Sequence, residues 1–446
     1  MRGPIVHIVH HIDTEGPLKE PFEEIFKRLE TTLGIACAFS RTEESFRSLQ
    51  NGIHPDIKDP AVSKTIQTLL TPHLMQTWGS WNEIEAMIQV ILSPEYRRQM
   101  TDSFGGEWIY NWHLMDHVGF QTNERGRDLG YAAIFNRYEN FMKRYYSWKD
   151  AFHWHFHPIS FFKEAHIAAT SYDNSYPDLH QILCHRLIDK GWFPRVNRPG
   201  FHTQRPDSAW FLEQWIPFDA SNQSIKEESL HQDASYGRFG DWKGAPDTWE
   251  VYRPDHYDWR RPGFSNRVIS RVLNMKTRFR NINKQEIESA FRLAKEMQSP
   301  VYLGITNHDF RDMAIEIDEF RGMLAKVVPH YPEISFKFSE AVEAFRSVLG
   351  YSAKECEQNK LNCKMELIEN RLCIEVVNGE PFGPQPYLAI KTKNGQYFHD
   401  NFDFGSFKKN YYYTFDRYTL ELDQIEIIAV ASNDCYGNTW LSRKEL

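Results

Sequence analysis

Between Pro4 and about Leu349, short apolar runs that end in polar residues alternate with stretches of helical spacing. The runs "PIVHIVHHID" (Pro4–Asp13), "EWIYNWHLMD" (Glu107–Asp116), "AFHWHFHPI" (Ala151–Ile159) and "RVNRPGF" (Arg195–Phe201) read as strands. So do "PFDAS" (Pro217–Ser221), "TWEVYRP" (Thr248–Pro254), "PVYLGITNHDF" (Pro300–Phe310) and "EISFKF" (Glu333–Phe338). Segments such as "SYPDLHQILCHRLIDKGW" and "NKQEIESAFRLAKEMQ" lie between them and carry apolar residues at helical spacing. Such alternation builds βα units and a parallel sheet. In barrels and open sheets of that kind, sites gather where the strands end.

Two regions depart from the alternation. Residues 18–100 read as helices inserted soon after the first strand, with "PFEEIFKRLETTL" and "WNEIEAMIQVIL" as their clearest periods. After a boundary near residues 350–363, the runs "MELIENRLCIEVV", "YLAIKTK" and "YTLELDQIEIIAVAS" alternate with period two and are broken at "NG" and "GP". The chain therefore divides into an α/β domain over 1–350 and a small antiparallel β-sandwich over 364–446. At 446 residues, two cores are expected rather than one.

The strand "DAFHWHFHP" (Asp150–Pro158) puts His153, His155 and His157 on one face and Trp154 and Phe156 on the other. Two imidazoles at i and i+2 reach a common metal ion, and zinc takes such ligands with a carboxylate and an open position. In "HHIDTEG", Asp13 and Glu15 supply carboxylates at the end of the first strand. One can complete a site that already has two imidazoles, and the second can serve as general base. In "TNHDF", His308 follows a strong strand with Asp309 beside it, an arrangement suited to a general acid with an acidic partner. Arg198 in "VNRPGF" is a permanent cation able to grip a carboxylate.

Taken in order, these pieces resemble the polysaccharide deacetylase family, also called the NodB-homology or carbohydrate-esterase deacetylase fold. "HIDTEG" is similar to its first acidic motif and "HFHP" to its metal-binding histidine motif. "NRPGF" followed by "LEQWIPFDAS" resembles its arginine motif, and "LGITNHD" its closing histidine motif. The resemblance covers roughly residues 4–349. It implies a distorted (β/α)7 barrel and a hydrolase acting on linear amide C–N bonds, which removes an N-acetyl or O-acetyl group from a sugar or glycan precursor. It implies a divalent metal, zinc first, with cobalt, nickel or manganese as alternatives. His155 and His157 bind it, with His153 as the alternative if the pair is spaced at four. Asp13 and Glu15 share the roles of base and ligand, Arg198 orients the base, His308 protonates the leaving amine and Asp309 tunes it. The long insert, Phe156 between the two histidines, and the Arg-Pro-Gly order depart from the family pattern. The alternative function is a deacetylase-like carbohydrate-binding protein without activity.

Partners follow from composition. Aromatic residues make up 15% of the chain, and such rings stack on sugars; Trp78, Trp81, Trp242 and Trp249 are candidates for a sugar groove. Net charge is −8, and the most basic stretch, "KTRFRNINK" (Lys276–Lys284), reads as a solvated face, so no nucleic-acid partner is expected. No apolar run of about 20 residues is present, so no membrane span is expected. The N-terminal residues do not read as a signal peptide, and six cysteines lack CxxC pairing. A cytoplasmic protein with reduced thiols is expected, Cys356 with Cys363 being the one conceivable bridge. The "NYYYTF" segment (Asn410–Phe415) is expected to be strand packing, with a contact patch and a homo-oligomer as the other reading.

Overall fold

Seven parallel strands close on themselves in the computed structural model, which describes residues 4–33, 39–145, 147–165, 169, 171–226 and 240–446. They are β1 (Ile5–Thr14), β2 (Tyr110–Leu114), β3 (Ala151–Phe156), β4 (Val196–Pro199), β5 (Phe218–Asn222), β6 (Val268–Asn274) and β7 (Val301–His308). β1 closes the barrel, because it pairs with β7 over Val6–Asp13 and with β2 over His10–Thr14. An eighth strand, β8 (Ser335–Phe338), adds to the first residues of β1 outside the closure. The mixed α/β architecture and the seven-stranded parallel barrel match the sequence expectation.

Strand pleating sorts the side chains. On β3, Trp154 and Phe156 face outward into the layer formed by Leu183, Leu187 and Phe211, while His153 and His155 face the barrel interior. Burying each such ring contributes about 1.5–3 kcal/mol. That gain fixes which way the strand faces, and so which side the imidazoles occupy.

The sixth barrel strand lies elsewhere than the sequence pattern predicts. Thr248–Pro254 is not a barrel strand and contributes only isolated bridges, one of them Tyr252 to Ile269. The sixth strand is β6, whose apolar run is interrupted by Ser270 and Arg271 and flanked by Arg267. Those charges hid its period, and each is paired: Arg271 with Glu286, Arg267 with Asp219.

The insert forms the helices Phe22–Leu33, Glu43–Gln50, Pro60–Leu69, Pro72–Met75, Trp81–Ile91 and Pro94–Arg97. Part of it has its own apolar cluster around Phe26, Leu29 and Ile66. The basic stretch Lys276–Lys284 is not a solvated face. Arg280 is buried, and Arg278 donates from Nε to the carbonyl of Leu69, tying the insert to the barrel.

The C-terminal region is two four-stranded antiparallel sheets. One consists of β9 (Asn362–Ile368), β10 (Arg371–Asn378), β13 (Asp403–Ser406) and β14 (Asn410–Thr414). The other consists of β11 (Tyr387–Thr392), β12 (Tyr397–Asp400), β15 (Ile425–Asn433) and β16 (Thr439–Glu445). The second sheet docks Tyr387, Ala389 and Ala429 onto the outer barrel helices. Tyr411 and Tyr413 of the "NYYYTF" run are buried between the sheets. Cys356 and Cys363 are both free thiols; Cys37 lies outside the described residues. Among the described residues, no helix is long and apolar enough to cross a membrane.

Asp219 and Arg267 are both fully buried, with Arg267 Nη1 2.5 Å from the Asp219 carboxylate and Gln204 Nε2 donating to it at 2.9 Å. Removing one partner strands the other charge in the interior. Asp219→Ala is expected to destabilise the protein by about 3–5 kcal/mol, read as a lower midpoint in urea denaturation.

Candidate metal centre

Strand register delivers the site residues to one end of the barrel. Asp13 and His308 are direct neighbours across β1 and β7, and His155 and Arg198 across β3 and β4. All four lie at the last positions of their strands or next to them, on the inner face, while Glu15 and His157 follow the ends of β1 and β3.

Glu15, His155 and His157 converge. Each offers one ligand atom, the three atoms lie within 4.8 Å of one another, and all three residues are buried. Nε2 of His155 is 3.0 Å from Nε2 of His157, and Oε1 of Glu15 is 3.4 Å from His157 and 3.8 Å from His155. Donors about 2.0–2.1 Å from a tetrahedral zinc ion stand about 3.3 Å apart, so these spacings fit such an ion. His155 donates from Nδ1 to the carbonyl of Arg198 at 2.8 Å, which leaves its Nε2 lone pair facing the group. Two imidazoles and a carboxylate suit zinc and several other divalent ions alike.

The neighbouring polar groups fix the charges. Burial alone would favour a neutral Glu15, but Arg127, which hydrogen-bonds its Oε2, and His157 hold it well below the usual carboxylate range. Asp13 is likewise held ionised against burial, chiefly by Arg198, whose Nε is 2.5 Å from Oδ1. Burial lowers His157, whereas at His155 the carboxylates of Asp13 and Glu15 outweigh burial and raise it. Two ionised acids and an imidazole that draws in a proton mark a place that favours positive charge.

Asp13 stands outside the donor group. Its carboxylate is committed to Arg198 and faces His155 Nδ1 at 3.7 Å and His308 Nε2 at 3.6 Å. Thr14 between the two acids faces away, so Asp13 and Glu15 point to the same side with different partners. His153 stands outside the donor group. It sits one layer deeper, where its Nε2 faces Asn111 Oδ1 at 3.2 Å and Glu340 Oε1 at 3.3 Å. The spacing of two, not four, brings two imidazoles to Glu15, because β3 ends at Phe156 and frees His157 to turn inward.

Asp309 also differs from expectation. Its carboxylate accepts the backbone N–H groups of Glu15 at 2.9 Å and Gly16 at 2.9 Å, and the hydroxyl of Tyr138 at 2.9 Å. It clamps the turn that presents Glu15 instead of contacting the His308 ring. Burial still pushes it up, to about 6. Gly16, at φ +70°, makes that turn.

The Arg-Pro-Gly order has a steric reason. A Cβ on Gly200 would lie 1.9 Å from the His157 ring, so only glycine leaves that ring in place. Phe201 and His202 follow with φ of +54° and +53°, a costly backbone for such residues. Gly240 N–H to the Phe201 carbonyl and Trp242 Nε1–H to the His202 carbonyl hold the turn. Trp242 and Trp249 are core residues rather than groove walls, and Trp78 and Trp81 are packed against the main core.

Three contributors carry little or no sequence signal. Arg127 lies in a loop of mixed polar residues, far from any motif. His117 donates to the Glu15 carbonyl at 2.8 Å. Arg311 donates to His308 Nδ1 at 3.3 Å. Only the "HDFR" run, with Arg311 three residues past His308, offered a hint.

Titration calorimetry with zinc or cobalt is expected to show one tight site. His155→Ala and His157→Ala are each expected to weaken it by about 100-fold or more, and Gly200→Ala to weaken it by displacing His157. No family model matches the chain, and neither a curated protein nor a solved structure is significantly similar to it.

Proposed function

We propose that the barrel is a metal-dependent hydrolase that removes an acetyl group from the nitrogen or oxygen of a sugar. The observation that carries this reading is the convergence of the Glu15–His155–His157 donors with an Arg-held carboxylate and a histidine within 4 Å. The order of the motifs along the chain, which resembles that of polysaccharide deacetylases, supports the same chemistry.

Glu15, His155 and His157 would hold a divalent ion, which when bound would supply Lewis acidity toward the acetyl carbonyl and a water of lowered pKa. The residues of the chain do the rest. Asp13 is the base: Arg198 keeps it ionised and orients it, and it takes the proton of the attacking water. Arg127 keeps Glu15 ionised as a ligand. His308 faces the same space from Nε2, 3.6 Å from Asp13 and 3.8 Å from Glu15.

Arg311 donates to His308 Nδ1, so the ring proton is on Nε2. Burial and the Arg311 charge depress this histidine to about 4. In this reading His308 holds the substrate through Nε2–H. The proton taken up by Asp13 passes to the leaving nitrogen or oxygen as its bond to the acyl carbon breaks. The products are acetate and the free amine or alcohol.

The test is acetate release from a panel of N- and O-acetylated sugars by the zinc- or cobalt-loaded protein. Asp13→Asn is expected to lower kcat by about 10²–10⁴-fold with bound metal retained. His155→Ala is expected to lose metal and activity together. Sugar binding without acetate release by the loaded protein would favour the non-catalytic carbohydrate-binding reading instead.

A further inference from the structure

A histidine of the helical insert reaches the reaction side of the barrel. His73, on the short helix Pro72–Met75, places Nε2 2.9 Å from Oε1 of Glu316. Glu316 belongs to the helix Met313–Val327 that follows β7, and it is buried. The same Oε1 accepts Arg311 Nε–H at 3.1 Å. Arg311 donates from Nη2 to His308 Nδ1 at 3.3 Å and to the Lys276 carbonyl at 3.3 Å.

The direction of these bonds is fixed by chemistry. A guanidinium has only donors, so Nδ1 of His308 must accept and the ring proton must be on Nε2. That proton faces the space beside Asp13 and Glu15. Two further contacts brace the same segment from the insert. Trp78 N–H donates to the Phe310 carbonyl at 2.8 Å, and Met313 N–H to Met87 Sδ at 3.2 Å.

We infer that His73 is a positioning residue for His308: it holds Glu316, Glu316 aims Arg311, and Arg311 selects the Nε2–H form of the catalytic-side ring. The insert is thereby part of the reaction machinery and not only a decoration on the barrel. A single buried carboxylate oxygen shared by two donors has a fixed orientation. With one donor removed, the carboxylate is free to turn and follow Arg311, and the guanidinium loses its aim at Nδ1. The consequence for turnover rests on the hydrolase reading, whereas the ring's tautomer does not.

The test uses the full chain, ring-¹⁵N-labelled at histidine, with one equivalent of zinc chloride. The His308 signals are assigned by their absence in His308→Gln. The wild type is expected to show a single Nε2–H tautomer. His73→Ala is expected to show both tautomers, and His73→Gln, whose amide N–H also reaches Oε1, to restore one. With p-nitrophenyl acetate as probe, His73→Ala is expected to lose about tenfold in kcat/KM through a raised KM, because His308 holds the substrate, at unchanged zinc content, and His73→Gln to recover it. His73 is partly exposed, so its loss leaves the core intact; circular dichroism checks this. A single Nε2–H tautomer persisting in His73→Ala overturns the inference. A wild-type protein that cleaves no acetyl group overturns the hydrolase reading, and the tautomer spectra still decide the role of His73.

Discussion

The buried ion pair between Asp13 and Arg198 is the constraint around which the top of the barrel is organised. It spans from β1 to β4, with β2 and β3 between them in the sheet. Its guanidinium also donates to the Ala220 carbonyl at 2.9 Å and to His202 Nδ1 at 3.4 Å. A buried pair of this kind adds little net stability relative to apolar packing, but losing one partner costs several kcal/mol. It therefore enforces an arrangement more than it adds to folding energy. The arrangement it enforces is an ionised carboxylate beside an imidazole pair.

Beneath this layer, neutral polar rings form a hydrogen-bonded chain. Tyr302 O–H donates to His11 Nε2 at 2.9 Å, His11 Nδ1–H to His113 Nε2 at 2.7 Å, and His113 Nδ1–H to the Trp154 carbonyl at 3.3 Å. Burial holds His11 and His113 well below their usual range, so they stay uncharged. The chain of bonds satisfies polar rings without adding charge. Positive charge is favoured at the barrel mouth, where the ionised Asp13 and Glu15 stand. The shell around the donors is rigid for similar reasons: Asp309 fixes the Glu15 turn, and Gly200 leaves room for His157.

Much of this was legible in the sequence because it follows from local period. Alternation of strands and helices gave the βα architecture, and the period of two in "AFHWHFH" placed the imidazoles opposite the large rings. Period two after residue 364 gave the sandwich. What failed did so for physical reasons. β6 carries Ser270 and Arg271 inside an apolar run, since Arg271 pairs with the carboxylate of Glu286 and the flanking Arg267 with the buried Asp219. Trp242 and Trp249 looked like groove walls because ring chemistry does not distinguish a sugar face from a packed core. His153 shares a face with His155 but lies one layer lower, and only depth in the barrel separates a ligand from an interior polar group.

The sequence by itself determined which residue types are available at the strand ends and which face each strand turns inward, because pleating and hydrophobic burial act over neighbouring residues. Tertiary structure decided the partners. It assigned Glu15 to the histidines and Asp13 to Arg198, turned Asp309 away from His308, and brought Arg127, Arg311 and His73 to the site. Those choices depend on charge and hydrogen-bond geometry between segments up to about 300 residues apart, which no local pattern encodes.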